Sequence, residues 1–351
     1  MSRVTPPLDN VIYLIALGVA MSLKKFTAAG AALALSLGLA ACGSDDPAAE
    51  GDAAPTPISV YYTSPLAGYS IIQVADDQDL FPDDIDVSVE GGDSTVGVTL
   101  ASSGRVQMYL NTAPMTENIA HGGAALAWAA TWTEGMNTLF IGRNGVESLE
   151  DMKGRSLGIV QPGLTLSVIA NDALIDAGLS QDDYKSVSLG TVPALAGAFA
   201  AGTVDGVVLD RITAQRLLSE VDGSVELFDY YDGTPFVGSG VSVNTDWLEE
   251  NPEAATSFLE GLQAALDFMS ENPEEAKKSI SAMTGITDAA ALDAAYQDFM
   301  DHSTDTLMPV SEEQMNASMR MLRNEGNDWA TDEFGASVVI DPSYVEQALE
   351  R

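Results

Sequence analysis

Side chains able to carry covalent or acid–base chemistry are scarce in this sequence. Its 351 residues include one cysteine, Cys42, and two histidines, His121 and His302. A lone cysteine forms no internal disulfide, and no Cys/His cluster has the spacing of a structural zinc site. Two isolated histidines leave little material for imidazole-based proton transfer, and both read as surface or structural residues. No catalytic residue, metal or cofactor is expected. The sequence offers instead polar and aromatic residues suited to holding a ligand. Gly163, in the turn Gln161-Pro162-Gly163, allows close backbone approach, with Leu164 beside it. Thr165 and Ser167 add hydroxyls at a helix start, where free N–H groups and the helix dipole favour an anion. The same residues also suit a plain tight turn capped by Thr165. Leu209-Asp210-Arg211 ends an apolar run, so Arg211 either grips a carboxylate or sulfonate or pairs with Asp210. Trp128 and Trp132 could stack on a planar ligand. Trp128 falls inside a strand pattern and reads as core, whereas Trp132 is placed nearer a cleft.

These residues need elements to position them, and the chain alternates short β-branched runs with helical periods, the pattern of an α/β protein. Ile58–Tyr62 reads as a first strand, followed by a turn at Ser64-Pro65-Leu66 and a helix to about Leu80. Strands are expected at Ile85–Glu90, Val106–Leu110, Leu126–Thr131 and Asn137–Gly142. A second block opens at Ser148-Leu149-Glu150-Asp151, a capping-box pattern, and continues through strands at Ser156–Val160, Val187–Leu189, Gly206–Leu209 and Val225–Tyr230. Within it Leu166, Ile169, Ala170, Ala173, Leu174 and Ala177 form one apolar stripe of a helix that Gly178 stops. After a strand at Val237–Val243 the chain turns helical, with helices from Pro252 and over about 273–283, 287–301, 311–325 and 342–350. Ligands in open α/β sheets sit beyond the carboxyl ends of strands. That rule selects Tyr62, Ser64 and Tyr69 after the first strand, Asn111 and Thr112 after the third, Gly163 to Ser167, and Asp210 with Arg211.

The N-terminus carries a different signal. Lys24 and Lys25 precede an apolar run, Phe26–Ala41, that ends in Leu39-Ala40-Ala41-Cys42-Gly43. A basic segment, an apolar segment of about 15 residues and small residues at a cut site make a secretory signal, too short to span a bilayer. Met21 also begins a normal signal, so the chain is read as starting at either Met1 or Met21. Gly43–Pro57 lacks apolar periodicity and reads as a flexible tether. The chain has 15 Lys+Arg against 52 Asp+Glu, a net charge of −37. Removal of residues 1–41 leaves 12 basic and 51 acidic residues, or −39. Such a surplus repels a phosphate backbone and argues against nucleic-acid binding.

Leu39-Ala40-Ala41-Cys42 resembles a bacterial lipobox, which implies that Cys42 is lipidated and becomes the mature N-terminus on the extracytoplasmic face of the membrane. Ser148 to Ile159, SLEDMKGRSLGI, is similar to the entry into the second lobe of bacterial solute-binding proteins. Ala198 to Gly206, AFAAGTVDG, is similar to their helix-to-strand step. Asn251-Pro252-Glu253-Ala254-Ala255 and Glu271-Asn272-Pro273-Glu274-Glu275-Ala276 resemble their C-terminal helices. The group most resembled is the nitrate/sulfonate/taurine and thiamine-pyrimidine-precursor binding family. That resemblance implies a two-lobed periplasmic-binding-protein fold of type II, with residues 58–144 plus 236–351 as lobe I and 145–235 as lobe II. Hinges are expected near Gly142–Gly145 and Asp232–Gly240. It implies a monomeric receptor that captures a small solute, anionic or planar heterocyclic, and delivers it to the permease of an ABC importer. Leu164 departs from the small polar residue common in relatives, which weakens a sulfonate or nitrate assignment. A tethered sensor or adhesion lipoprotein is the alternative. An enzyme resembling the thiamine-pyrimidine synthases would need a cysteine-rich, histidine-assisted iron site, and this composition lacks one.

Overall fold

The computed structural model describes residues 54–351, apart from Glu134, Thr234 and Pro235. Cys42, the signal segment and most of the tether lie outside the described residues. The strands, in chain order, are β1 Thr56–Tyr62, β2 Ile85–Gly91, β3 Met108–Asn111, β4 Leu126–Thr133, β5 Thr138–Gly142, β6 Ser156–Ile159, β7 Lys185–Ser188, β8 Gly206–Asp210, β9 Val225–Asp229, β10 Gly240–Asn244 and β11 Ser303–Met308. They form a six-stranded sheet, β11-β4-β10-β3-β1-β2, and a five-stranded sheet, β7-β6-β8-β5-β9.

Each sheet begins with a parallel trio, β2-β1-β3 in one and β7-β6-β8 in the other. Beside each trio lies one antiparallel strand supplied by the chain as it crosses between sheets, β10 in the first and β5 in the second. The two sheets therefore repeat one topology and exchange a strand. Thr138–Gly142 belongs to the second sheet, so the first crossing lies before β5 and not at residue 144, where the sequence placed the lobe boundary. Gly142, read as part of a hinge, instead pairs with Gly206 and Val225 inside that sheet. The reason is that β5 is apolar on both faces and suits either sheet, and strand order alone favours pairing with its predecessor. Where the crossings pass, Gly135 bridges Val237. A Cβ on Gly238 would lie 1.8 Å from the Gly135 carbonyl oxygen, so the two crossings run in a backbone contact that a side chain would break.

Both sheets are covered on two faces, and the pleat assigns the residues. In β5, Leu139 and Ile141 join Leu195, Phe199 and Leu217 on one side, while Phe140 joins Val168 and Leu174 on the other. In the first lobe, helix Pro252–Glu271 buries Phe258, Leu262 and Leu266 against Ile71 and Ile72 of helix Ser70–Asp77. Helix Thr165–Asp176 carries more than the single stripe read from sequence. Asn171 and Asp172 are also buried, because helix Glu312–Asn324 covers that side and sends Arg320 to Asp172 at 3.0 Å. The helical C-terminal third thus straddles both lobes. Strand β11 and a helix at Asp332–Ser337 were not anticipated. β11 pairs only with β4, across an irregular register, and buries Leu307 alone, so its sequence carries no alternation.

Candidate functional site

The turn after β1 runs through Ser64 and Pro65 into a short 3₁₀ turn, Ala67–Tyr69, and then helix Ser70–Asp77. It is fixed from below by Trp132, whose indole Nε1 donates to the Gly68 carbonyl at 2.8 Å. It is fixed from the side by Ser239 on the returning crossing, whose Oγ would lie 2.7 Å from a Cβ at position 68. Opposite, β8 ends at Asp210, which caps helix Arg211–Glu220 by accepting from the Thr213 N–H at 2.9 Å. Between these strand ends lies a cavity of about 210 Å³. Pro65 to Tyr69 form one wall, and Asp210, Ile212 and Thr213 form the other. Met136, Asn137, Gly238 and Ser239 from the two crossings close its back, with Thr284 and Ile286 at the rim. Loops at the carboxyl ends of strands from two sheets, meeting at a cavity beside the crossings, can hold a small molecule.

The residues expected at this site divide among several places. Tyr69 and Asp210 line the cavity. Tyr69 is buried, which pushes its phenol well above the usual range while a hydrogen bond with Thr63 opposes the shift. Thr112 and Thr165 meet hydroxyl to hydroxyl at 2.6 Å, joining the turn after β3 to the helix start after β6 and so bridging the lobes. Gly163 and Leu164 border a separate groove of about 350 Å³, where Leu164 packs against Met115 and Ile119 of the first lobe. Asn111 lies inside the first sheet, donating to the Tyr109 carbonyl and Ser242 Oγ and accepting from Thr116. Ser167 Oγ donates to the Gln161 carbonyl at 2.6 Å and pins its own turn. Ser64 Oγ donates to the Thr63 carbonyl at 2.7 Å. Tyr62 lies over Gly91 of β2, with a stacked neighbour in Tyr61. Trp132 is wholly enclosed in the core, so its ring is a support for the 67–69 turn and not a stacking surface.

Arg211 faces neither the cavity nor Asp210. Its Nη2 donates to Asp229 at 2.5 Å, and its Nε lies 3.2 Å from Asp298 on helix Ala289–His302. Asp229 ends β9 of the second sheet, whereas Asp298 belongs to the layer packed on the first, so this triad ties the lobes together. Tyr231 stacks on His302 with centroids 3.6 Å apart and lies beneath Arg211. Burial would lower the Arg211 pKa, but the Asp229 hydrogen bond and the two carboxylate charges raise it. Burial pushes the Asp298 carboxyl upward against the Arg211 charge. Sequence reasoning missed Asn137, Ile212, Thr213 and Ser239 in the cavity lining, and Asp229 and Asp298 as the partners of Arg211. The sequence reads Asn137 as the start of a strand and Ser239 as part of a hinge, and neither reading aims a side chain at a ligand. Asp298 is one more acid on an amphipathic helix until the fold sets it opposite Arg211.

Among the described residues no group of acids, cysteines and histidines could hold a metal ion, and no helix is long and apolar enough to cross a membrane. No curated protein matches the chain. Solved structures with the same fold include the periplasmic aliphatic sulphonate binding protein SsuA from Escherichia coli, 18% identical over 82% of this chain and 93% of that one, with a TM-score of 0.67. The alkanesulfonate-binding SsuA from Xanthomonas axonopodis pv. citri, bound to MOPS, is 15% identical over 84% and 98%, with a TM-score of 0.63. The periplasmic nitrate-binding protein NrtA from Synechocystis PCC 6803 is 13% identical over 84% and 89%, with a TM-score of 0.65. These likenesses establish the periplasmic-binding-protein fold. The family model "NMT1/THI5 like" matches residues 69–276, which is more than half of the sequence and takes in the cavity walls from Tyr69 through Asp210 to Ser239. The chain belongs to the NMT1/THI5-like family.

Proposed function

We propose that this protein is a non-catalytic, extracytoplasmic receptor for a small solute and hands its cargo to the permease of an ABC importer. The observation that carries this reading is the cavity at the paired strand ends, walled by both lobes and backed by both crossings. Such a site rewards closure: a ligand touching both walls stabilises the closed arrangement, and the permease reads that arrangement. The described lining offers one acid, one amide and several hydroxyls but no histidine or cysteine, which suits capture better than proton transfer or nucleophilic attack. The periplasmic sulphonate- and nitrate-binding proteins sharing the fold support the solute-binding role, and the lipobox-like Leu39-Ala40-Ala41-Cys42 supports attachment to the membrane by a lipid on Cys42. A thermal-shift screen with sulfonates, nitrate, pyrimidines, aromatic acids and organic amines tests the reading. A solute at 100 times its Kd adds about 2.7 kcal/mol to the folded state and raises Tm. A purified, folded protein that responds to none of these classes, yet binds a partner protein domain, would instead be a sensor or adhesion module.

A further inference from the structure

The charge inside the cavity points away from the anions bound by its structural neighbours. Among the described residues lining it, Asp210 carries the only formal charge. Asp210 Oδ1 is occupied as the cap of helix Arg211–Glu220, while Oδ2 accepts no hydrogen bond among the described residues. The adjacent cation is already committed, since Arg211 is held between Asp229 and Asp298 and does not line the cavity. That triad has two acids to one base, so it adds no positive field beside Asp210. A second acceptor stands nearby: Asn137 lines the same cavity, and its Oδ1 is buried without a hydrogen-bond partner. A buried acceptor left unpaired costs free energy that a donor on a ligand would recover. Of the remaining lining, Pro65, Leu66, Met136, Ile212 and Ile286 are apolar, while Tyr69, Thr213, Ser239 and Thr284 carry neutral hydroxyls.

We infer that this cavity selects an organic cation, an amine or amidine on a compact apolar body, with Asp210 as the selecting residue and Asn137 as the second acceptor. This inference rests on the reading of the protein as a solute receptor and names the ligand class of that site. An amidinium would place its charge and one N–H against Asp210 Oδ2 and a further N–H toward Asn137, leaving its apolar body to the Pro65–Leu66 and Ile212 walls. A sulfonate or nitrate in the same place would meet a carboxylate with no arginine or lysine among the described lining residues to offset it.

Three probes of one shape separate charge from fit: benzamidine, benzamide and benzenesulfonate, titrated by calorimetry into the full folded protein at pH 7. Benzamidine is expected to bind at least tenfold more tightly than benzamide, and benzenesulfonate to show no measurable heat. Asp210→Asn keeps a competent helix cap and is expected to retain its unliganded Tm while the benzamidine-to-benzamide ratio falls below threefold. Asn137→Ala, which leaves the charge in place, is expected to weaken both of these ligands together. Benzenesulfonate binding as tightly as benzamidine, or an unchanged ratio in Asp210→Asn, would overturn the inference. If these probes fail but a sulfonate or nitrate binds in the wider screen, the cation preference is wrong and the receptor reading stands. If no solute of any class binds, the receptor reading itself is lost.

Discussion

Glu117 is wholly buried between helix Ala113–His121 and helix Glu312–Asn324, where Ser318 Oγ donates to its Oε2 at 2.5 Å. Its Oε1 has no partner among the described residues. Burial pushes this carboxyl up to about 8, with the Ser318 hydrogen bond opposing the shift, so the native protein holds it neutral at pH 7. The unfolded chain releases the same proton near 4.5. Between those two values the native state binds more protons than the unfolded state, so stability falls as pH rises from about 4.5 to about 8. The linked loss is on the order of a few kcal/mol. Glu117→Gln keeps the size and an acceptor for Ser318 but removes the titration. Urea unfolding at pH 5, 6.5 and 8 should show a steep decline in the natural protein and a shallower one in the variant, where other buried acids such as Asp298 still titrate. An equally steep decline in Glu117→Gln would assign the pH dependence to other groups. Glu117 drew no notice in the sequence, because nothing local tells a buried glutamate from the many solvated ones.

At the scale of elements, what matters is how the lobes are held together. Helix Arg211–Glu220 follows β8 in the second sheet, and helix Ala289–His302 packs on the first, yet Arg211 reaches Asp298 and Tyr231 reaches His302. The turn after β3 and the start of helix Thr165–Asp176 add the Thr112–Thr165 bond. These contacts cross between the bodies carrying the two sheets, alongside helix Glu312–Asn324, which bonds Glu117 through Ser318 and Asp172 through Arg320. Arg211→Met leaves Asp229 and Asp298 facing each other without a cation. The side chains of the triad are only 14–20% exposed, so the loss should be about 2–3 kcal/mol, less than for a fully buried pair. Small-angle scattering should report a larger radius of gyration for the unliganded variant, with the natural value restored by a bound solute. A radius unchanged by the substitution would show that the triad stabilises one lobe without governing closure.

For the whole molecule, the acid surplus and the lone cysteine carry different messages. A net charge of −37 on a fold with two well-packed cores describes a strongly acidic exterior and says little about the ligand, since the cavity holds one formal charge among its described lining residues. Cys42 stands apart from all of this at the end of an apolar run. If it is the lipid attachment point, Cys42→Ser should move the protein from the membrane fraction to the soluble fraction of the expressing bacterium. The folded part, and hence Tm, should be unaffected. Persistence of the variant in washed membranes would indicate retention by some other means.

The sequence by itself determined the class of fold. Short apolar runs after helical periods mark most of the strands because burial on both faces demands β-branched and aromatic residues there, whatever their neighbours are. It also determined that Asp210 ends a strand and that Tyr69 follows one, where α/β folds place ligands, and both line the cavity. Tertiary structure decided the rest. β5 is equally apolar in either sheet, and only the crossing assigns it to the second. Trp132 and Asn111 are polar-tipped residues near strand ends, and only packing shows their N–H groups turned inward. Arg211 is a cation beside a cleft in sequence, and only the approach of Asp298 from 87 positions away takes its charge out of the site. Local pattern depends on residues a few positions apart, whereas the sign of a cavity depends on charges that the chain brings together across its full length.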